Sequence, residues 1–114
     1  MHFNHEISNN LGIVICQLHG ELIDKNQALP FIADLDGHMS KGNLRIVMDL
    51  GDLKYINSSG LNVLINILTK ARKNGGEAVI ANVSAKVREL LVITKLNTVF
   101  TVTETVEKAL AKLK

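Results

Sequence analysis

The run Leu44-Arg45-Ile46-Val47-Met48-Asp49-Leu50 narrows what this chain can fold into more than any other segment. A strand with so few polar positions cannot leave one face in water, so it belongs inside a parallel sheet covered on both faces by helices. An α/β domain with this segment as its central strand is the expectation. The chain has 114 residues, of which 46% are hydrophobic, enough for a single domain over 1–114 whose core needs no disulfide or metal staple.

The flanking pattern fits that frame. His2 to Ser8, the turn-like Asn9-Asn10 and the Ile/Val/Leu-rich stretch Leu11 to His19 read as a β-hairpin. Asp24 is placed to cap a helix in which Ala28, Phe31 or Ile32, Leu35 and Met39 recur at helical spacing, with Pro30 delaying or kinking its start. Leu61, Leu64, Ile65, Leu68 and Ala71 form a second helical stripe, ended by Asn74-Gly75-Gly76. Glu77 to Asn82 then reads as a strand, Ser84 as the cap of a helix carrying Val87, Leu90 and Leu91, and Thr98 to Val102 as a last strand. Thr103 is read as the cap of a terminal helix carrying Val106, Ala109, Leu110 and Leu113. The sum is a mixed, mostly parallel sheet with an N-terminal hairpin and about four helices, joined by right-handed crossovers.

Several function classes fall away on composition. The formal charge is +2 with charges scattered along the chain, and there is no Trp, one Tyr and three Phe, so neither a basic footprint nor stacking platforms for nucleic acid are present. No apolar run reaches the length of a membrane span. One cysteine, Cys16, cannot form an internal bridge, and the opening Met-His-Phe-Asn-His-Glu lacks the basic start and apolar run of a signal peptide, so a cytoplasmic location is expected. Cys16 alternates with Val14 and Leu18 and reads as a core thiol. No metal or cofactor is expected: His2 and His5 read as an exposed terminal pair without further ligands, and Gly75-Gly76 follows a helix and lacks a Gly-Lys-Ser/Thr ending.

The most distinctive local arrangement is Tyr55-Ile56-Asn57-Ser58-Ser59-Gly60-Leu61, between the buried strand and the amphipathic helix. This is the carboxyl end of a parallel strand, where open α/β sheets place working residues. Asn57 is a good N-cap, with Ser58, Ser59 and Gly60 in the first turn, whose free amides and dipole favour an anion. A phosphate on Ser58 or Ser59 would be tolerated there and would bring about −1.5 to −2 charges to the surface. Spacing alone leaves two readings, capping chemistry and nothing more, or a modification site. A serine nucleophile would need an oriented base, yet histidines 2, 5, 19 and 38 fall in the first third of the chain and Gly-x-Ser-x-Gly is absent, so catalysis is not expected.

Almost the whole chain resembles a STAS domain of the anti-sigma factor antagonist type. The resemblance is carried by Gly20-Glu21-Leu22, Val47-Met48-Asp49-Leu50, Ile56-Asn57-Ser58-Ser59-Gly60-Leu61 against an Asp-Ser-Ser/Thr-Gly-Leu signature, and Asn74-Gly75-Gly76-Glu77. It implies that Ser58 is phosphorylated by an anti-sigma factor that is also a serine kinase. The unphosphorylated form would bind that partner and free the sigma factor, and a phosphatase would restore it. The chain departs from the pattern at Asn57, where the family has an acidic residue, and at Ile23, where an acidic residue usually follows Gly-Glu-Leu. The partner-binding set expected from the resemblance and the helix pattern together is Asp24, Asn57, Ser58, Ser59, Gly60, Val63 and Ile67. Val63 and Ile67 widen the apolar arc of the second helix, to meet either a partner or a neighbouring helix. Similar domains also act as unphosphorylated interaction modules, in lipid-transport ABC systems or signalling complexes, which is the alternative function.

Overall fold

Residues 2–114, described by a computed structural model, alternate strands and helices as the pattern predicts. Strands β1 (Phe3–Asn10), β2 (Ile13–Leu22), β3 (Arg45–Ile56), β4 (Glu77–Ala81) and β5 (Thr101–Thr103) form one sheet in the order β1-β2-β3-β4-β5. Only the β1–β2 pair is antiparallel, and β3 is the central strand. Helices α1 (Leu29–Met39), α2 (Ser58–Lys73), α3 (Ala85–Ile93) and α4 (Val106–Leu113) cover it. No helix among the described residues is long and apolar enough to cross a membrane.

Successive strand residues point to opposite faces, and the two faces bury different helices. Cys16, Leu18, Ile46, Met48, Leu50 and Ile80 pack with Phe31, Leu35, Leu64, Leu68 and Leu91 from α1, α2 and α3. Val47, Val79 and Ala81 pack on the other side against Ala109 and Leu113 of α4. The apolar run Ile46-Val47-Met48 is therefore consumed by both layers, which explains its lack of alternation. Cys16 is fully buried, and desolvation pushes its thiol up to about 12, with the Asp34 charge adding to the effect. It is a packing group and not a nucleophile.

Four boundaries differ from the sequence expectation, each for a local physical reason. The hairpin turn is Leu11-Gly12 rather than Asn9-Asn10, with φ of 52° and 90°. Asn10 pairs with Ile13, so both asparagines stay in the ladder, and the Asn9 carboxamide oxygen accepts the Gly12 N–H at 2.9 Å. Asp24 caps a 3-10 turn, Lys25–Ala28, before α1; its carboxylate accepts the Asn26 N–H, and the Gln27 carboxamide accepts the Asp24 N–H. Pro30 then falls in the first turn of α1, where its missing N–H costs nothing and no kink is needed. At the C-terminus Thr98 lies in a 3-10 turn, Leu96–Thr98, and Thr103 ends β5, buried, its hydroxyl shared between the carbonyls of Ile80 and Thr105. Thr105 is the cap of α4, accepting the Lys108 N–H at 3.1 Å. His5 is also less exposed than a free terminal pair would be, with Nε2 3.1 Å from Asp34 and its ring against Phe31.

Leu11 is 92% exposed and holds a left-handed conformation that a branched apolar side chain disfavours. Leu11→Asn is expected to stabilise the domain by on the order of 1 kcal/mol, read as a higher melting temperature; an unchanged or lower value would contradict this account of the turn.

Candidate functional site

Strand β3 outruns its neighbour. Pairing with β4 stops at Asp49↔Ala81, while pairing with β2 continues to Leu22↔Ile56. The last part of β3 thus has a strand on one side only, and α3 stands across a groove from it on the other. The groove has a volume of about 410 Å³, and its lining includes Lys54, Tyr55 and Ser58 on one wall and Lys86, Leu90 and Ile93 on the other.

One residue, Asn57, links β3 to α2 and fixes the geometry. Its side-chain oxygen accepts the Gly60 N–H at 2.9 Å, capping α2, and its Nδ2 donates to the Ile23 carbonyl at 3.1 Å. Its own N–H reaches the Leu22 carbonyl at 3.4 Å. The end of β2 and the start of α2 are thereby tied through one carboxamide, a task that needs both a donor and an acceptor. An aspartate could cap the helix but could not donate to Ile23. Where the resembled signature has an acidic residue, Asn57 keeps the cap and adds a cross-link.

Gly60 makes the approach possible. A Cβ at this position would lie 2.3 Å from the Leu22 carbonyl oxygen and 2.7 Å from Ile56 Cγ1. Helix α2 therefore rests directly on the end of β2, and Ser58 and Ser59 are presented at its exposed corner. The two serines face different surroundings. Ser58 lines the groove with Lys54 and Lys86, where Glu89 is the one carboxylate among the lining residues. Ser59 opens onto a hollow bordered by Ile23, Asp24, Lys25, Asn62 and Asn66.

Val63 and Ile67 are not part of this surface. They are 2% and 6% exposed and sit where α2 meets Ile32, Leu35 and Met39 of α1. The wider apolar arc of α2 is used up by α1, so the expectation that these two touch a partner is replaced by a packing role. Among the exposed apolar residues, Tyr55 at 52% and Ile93 at 75% line the groove with Ser58, and Ile23 at 41% lines the hollow with Ser59. Neither Tyr55, which opens the loop motif, nor Ile93 stands in the partner-binding set expected from the sequence. A signal was present, since Leu90-Leu91-Val92-Ile93 is four consecutive apolar residues and a surface helix buries only one face. His5, His19 and His38 lie away from the groove, with His19 bonded through Nδ1 to Asp52 at 2.6 Å.

The STAS domain family model matches residues 4–109. A relative from Bordetella bronchiseptica, BtrV, provisionally named an anti-sigma factor antagonist, is 34% identical over 103 residues, covering 90% of this chain and 88% of its own. A solved structure from Thermotoga maritima, provisionally described in the same terms, superposes with a TM-score of 0.82 at 27% identity over 97% of this chain and 93% of that one. The anti-sigma factor antagonist SpoIIAA in its unphosphorylated form shares the fold, with a TM-score of 0.71 at 17% identity over 96% of this chain and 94% of that one.

Replacing glycine by alanine inside a helix normally stabilises it by about 1 kcal/mol. At Gly60 the sign should reverse, because a methyl group would force α2 off β2, and Gly60→Ala is expected to lower stability by roughly 1–3 kcal/mol. A urea midpoint equal to or above that of the parent would show that the contact is loose.

Proposed function

The chain belongs to the STAS domain family, and from that membership we propose that it is an anti-sigma factor antagonist whose binding to an anti-sigma factor serine kinase is switched off by phosphorylation of Ser58. The observation that carries this reading is the placement of Ser58 at an exposed corner, lining a groove whose walls include the exposed side chains of Tyr55 and Ile93. Such a surface suits a protein partner, and about two negative charges introduced beside it would have to be desolvated for that partner to dock. The unphosphorylated surface binds; the phosphorylated one releases. A phosphatase closes the cycle.

The surroundings also favour Ser58 over Ser59 as the acceptor. A phosphate on Ser59 would meet the Asp24 carboxylate and the Lys25 ammonium, whereas one on Ser58 would meet Lys54, Lys86 and Glu89, one ammonium group more than the carboxylates among the lining residues. Asp24, Asn57, Ser59 and Gly60 serve the site by shaping it: Asp24 by holding the turn beneath Ser59, Asn57 and Gly60 by seating α2. SpoIIAA, which shares the fold, has been solved in a phosphorylated form.

With the cognate anti-sigma factor as ligand, Ser58→Asp is expected to lower affinity at least about tenfold while Ser58→Ala stays near the parent, since only the former brings charge. Ile93→Asp should weaken the same complex with its melting temperature unchanged, its side chain being exposed in the free protein. Equal affinity of both serine variants would overturn the charge switch, and full affinity of Ile93→Asp would move the partner off the groove.

A further inference from the structure

The groove beside Ser58 holds a charge that the free protein does not use. Lys54 has a partner, its ammonium 3.4 Å from Asp52. Lys86 is exposed, lines the same groove and makes no ion pair among the described residues. It sits in the first turn of α3, where a cation is opposed by the helix dipole and gains nothing locally. Among the lining residues two lysines stand against one carboxylate, Glu89, and with Lys54 already held by Asp52, Lys86 is the ammonium left to meet an anion on the serine. A cation in an unfavourable position with no partner is accounted for if its partner arrives later.

Building on the assignment of Ser58 as the modified serine, we propose that Lys86, helped by Lys54, is the internal counter-charge for the Ser58 phosphate, so that the phosphoryl group turns into the groove instead of projecting into solvent. The consequence reaches beyond repulsion of a partner. A phosphate drawn between β3 and α3 occupies the cavity whose walls are Tyr55, Leu90 and Ile93, so the modification fills part of the docking surface as well as charging it. It also sets how readily a phosphatase reaches the phosphorus, because the ester must leave the two ammonium groups before it can be attacked. Ser59 borders a different hollow, where one lysine, Lys25, stands with one carboxylate, Asp24, and it does not line the groove that Lys86 lines.

The test uses the full chain with phosphoserine incorporated at position 58 during translation, so that no kinase is needed, and follows its phosphorus NMR shift from pH 4 to 8. Free phosphoserine loses its second proton near about pH 6, and nearby cations favour the dianion. The parent is expected to titrate lower than the Lys86→Ala variant by about half a unit, with a further rise in Lys54→Ala/Lys86→Ala. Hydrolysis by an added serine phosphatase should be severalfold faster in the variants. Both lysines are exposed, so unchanged melting curves serve as the folding control. Phosphoserine placed at position 59 should titrate identically with and without Lys86. Identical titration of the position-58 phosphate in parent and variants overturns the counter-charge and leaves the Ser58 switch standing. A chain that is never phosphorylated in its own cells would remove the switch and leave the titration result as measured.

Discussion

Everything at the working end of this domain depends on one carboxamide. Asn57 accepts a hydrogen bond from Gly60 and donates one to Ile23, so the same side chain caps α2 and fastens it to the end of β2. Each bond is worth about 1 kcal/mol on its own, but together they specify a position and an orientation. The close seat of Gly60 on the Leu22 carbonyl completes the constraint. With α2 held in this way, Ser58 and Ser59 have fixed and different surroundings although they are adjacent in sequence.

That difference arises from the sheet. Because β4 ends at Ala81 while β3 runs on to Ile56, the space beside the end of β3 is filled by a helix and not by another strand. A strand would have sealed the edge with hydrogen bonds; a helix leaves a groove. Ser58 looks into it and Ser59 looks away, toward Asp24 and the 3-10 turn. The contrast between Lys54, Lys86 and Glu89 on one side and Lys25 and Asp24 on the other follows from topology, and it gives a phosphate different surroundings at two neighbouring hydroxyls.

How far the sequence discloses this varies by element. The central strand and α2 are legible because their signals are local: Ile46-Val47-Met48 has no polar face, and the α2 stripe is closed by Asn74 and Gly75. The hairpin turn is not, because Asn9-Asn10 has the chemistry of a turn while strand register puts Leu11-Gly12 there. Thr103 and Thr105 are both plausible caps by type, and burial of Thr103 under the Ile80 carbonyl decides between them. Val63 and Ile67 show the limit most plainly. Their excess over one helix face is visible in the sequence, but whether α1 or a partner covers it depends on where Ile32, Leu35 and Met39 lie in three dimensions, and α1 covers it. The groove itself joins Tyr55 to Ile93 across a crossover, and no spacing rule connects them.

The central claim is that Ser58, and not the adjacent Ser59, carries a reversible phosphate. The most direct measurement is intact-mass and site-localised peptide mass spectrometry on the protein isolated from its own cells across growth and stress conditions, before and after phosphatase treatment. The account predicts one removable phosphate, at Ser58. A chain that stays unphosphorylated under every condition, or one phosphorylated at Ser59, would contradict it.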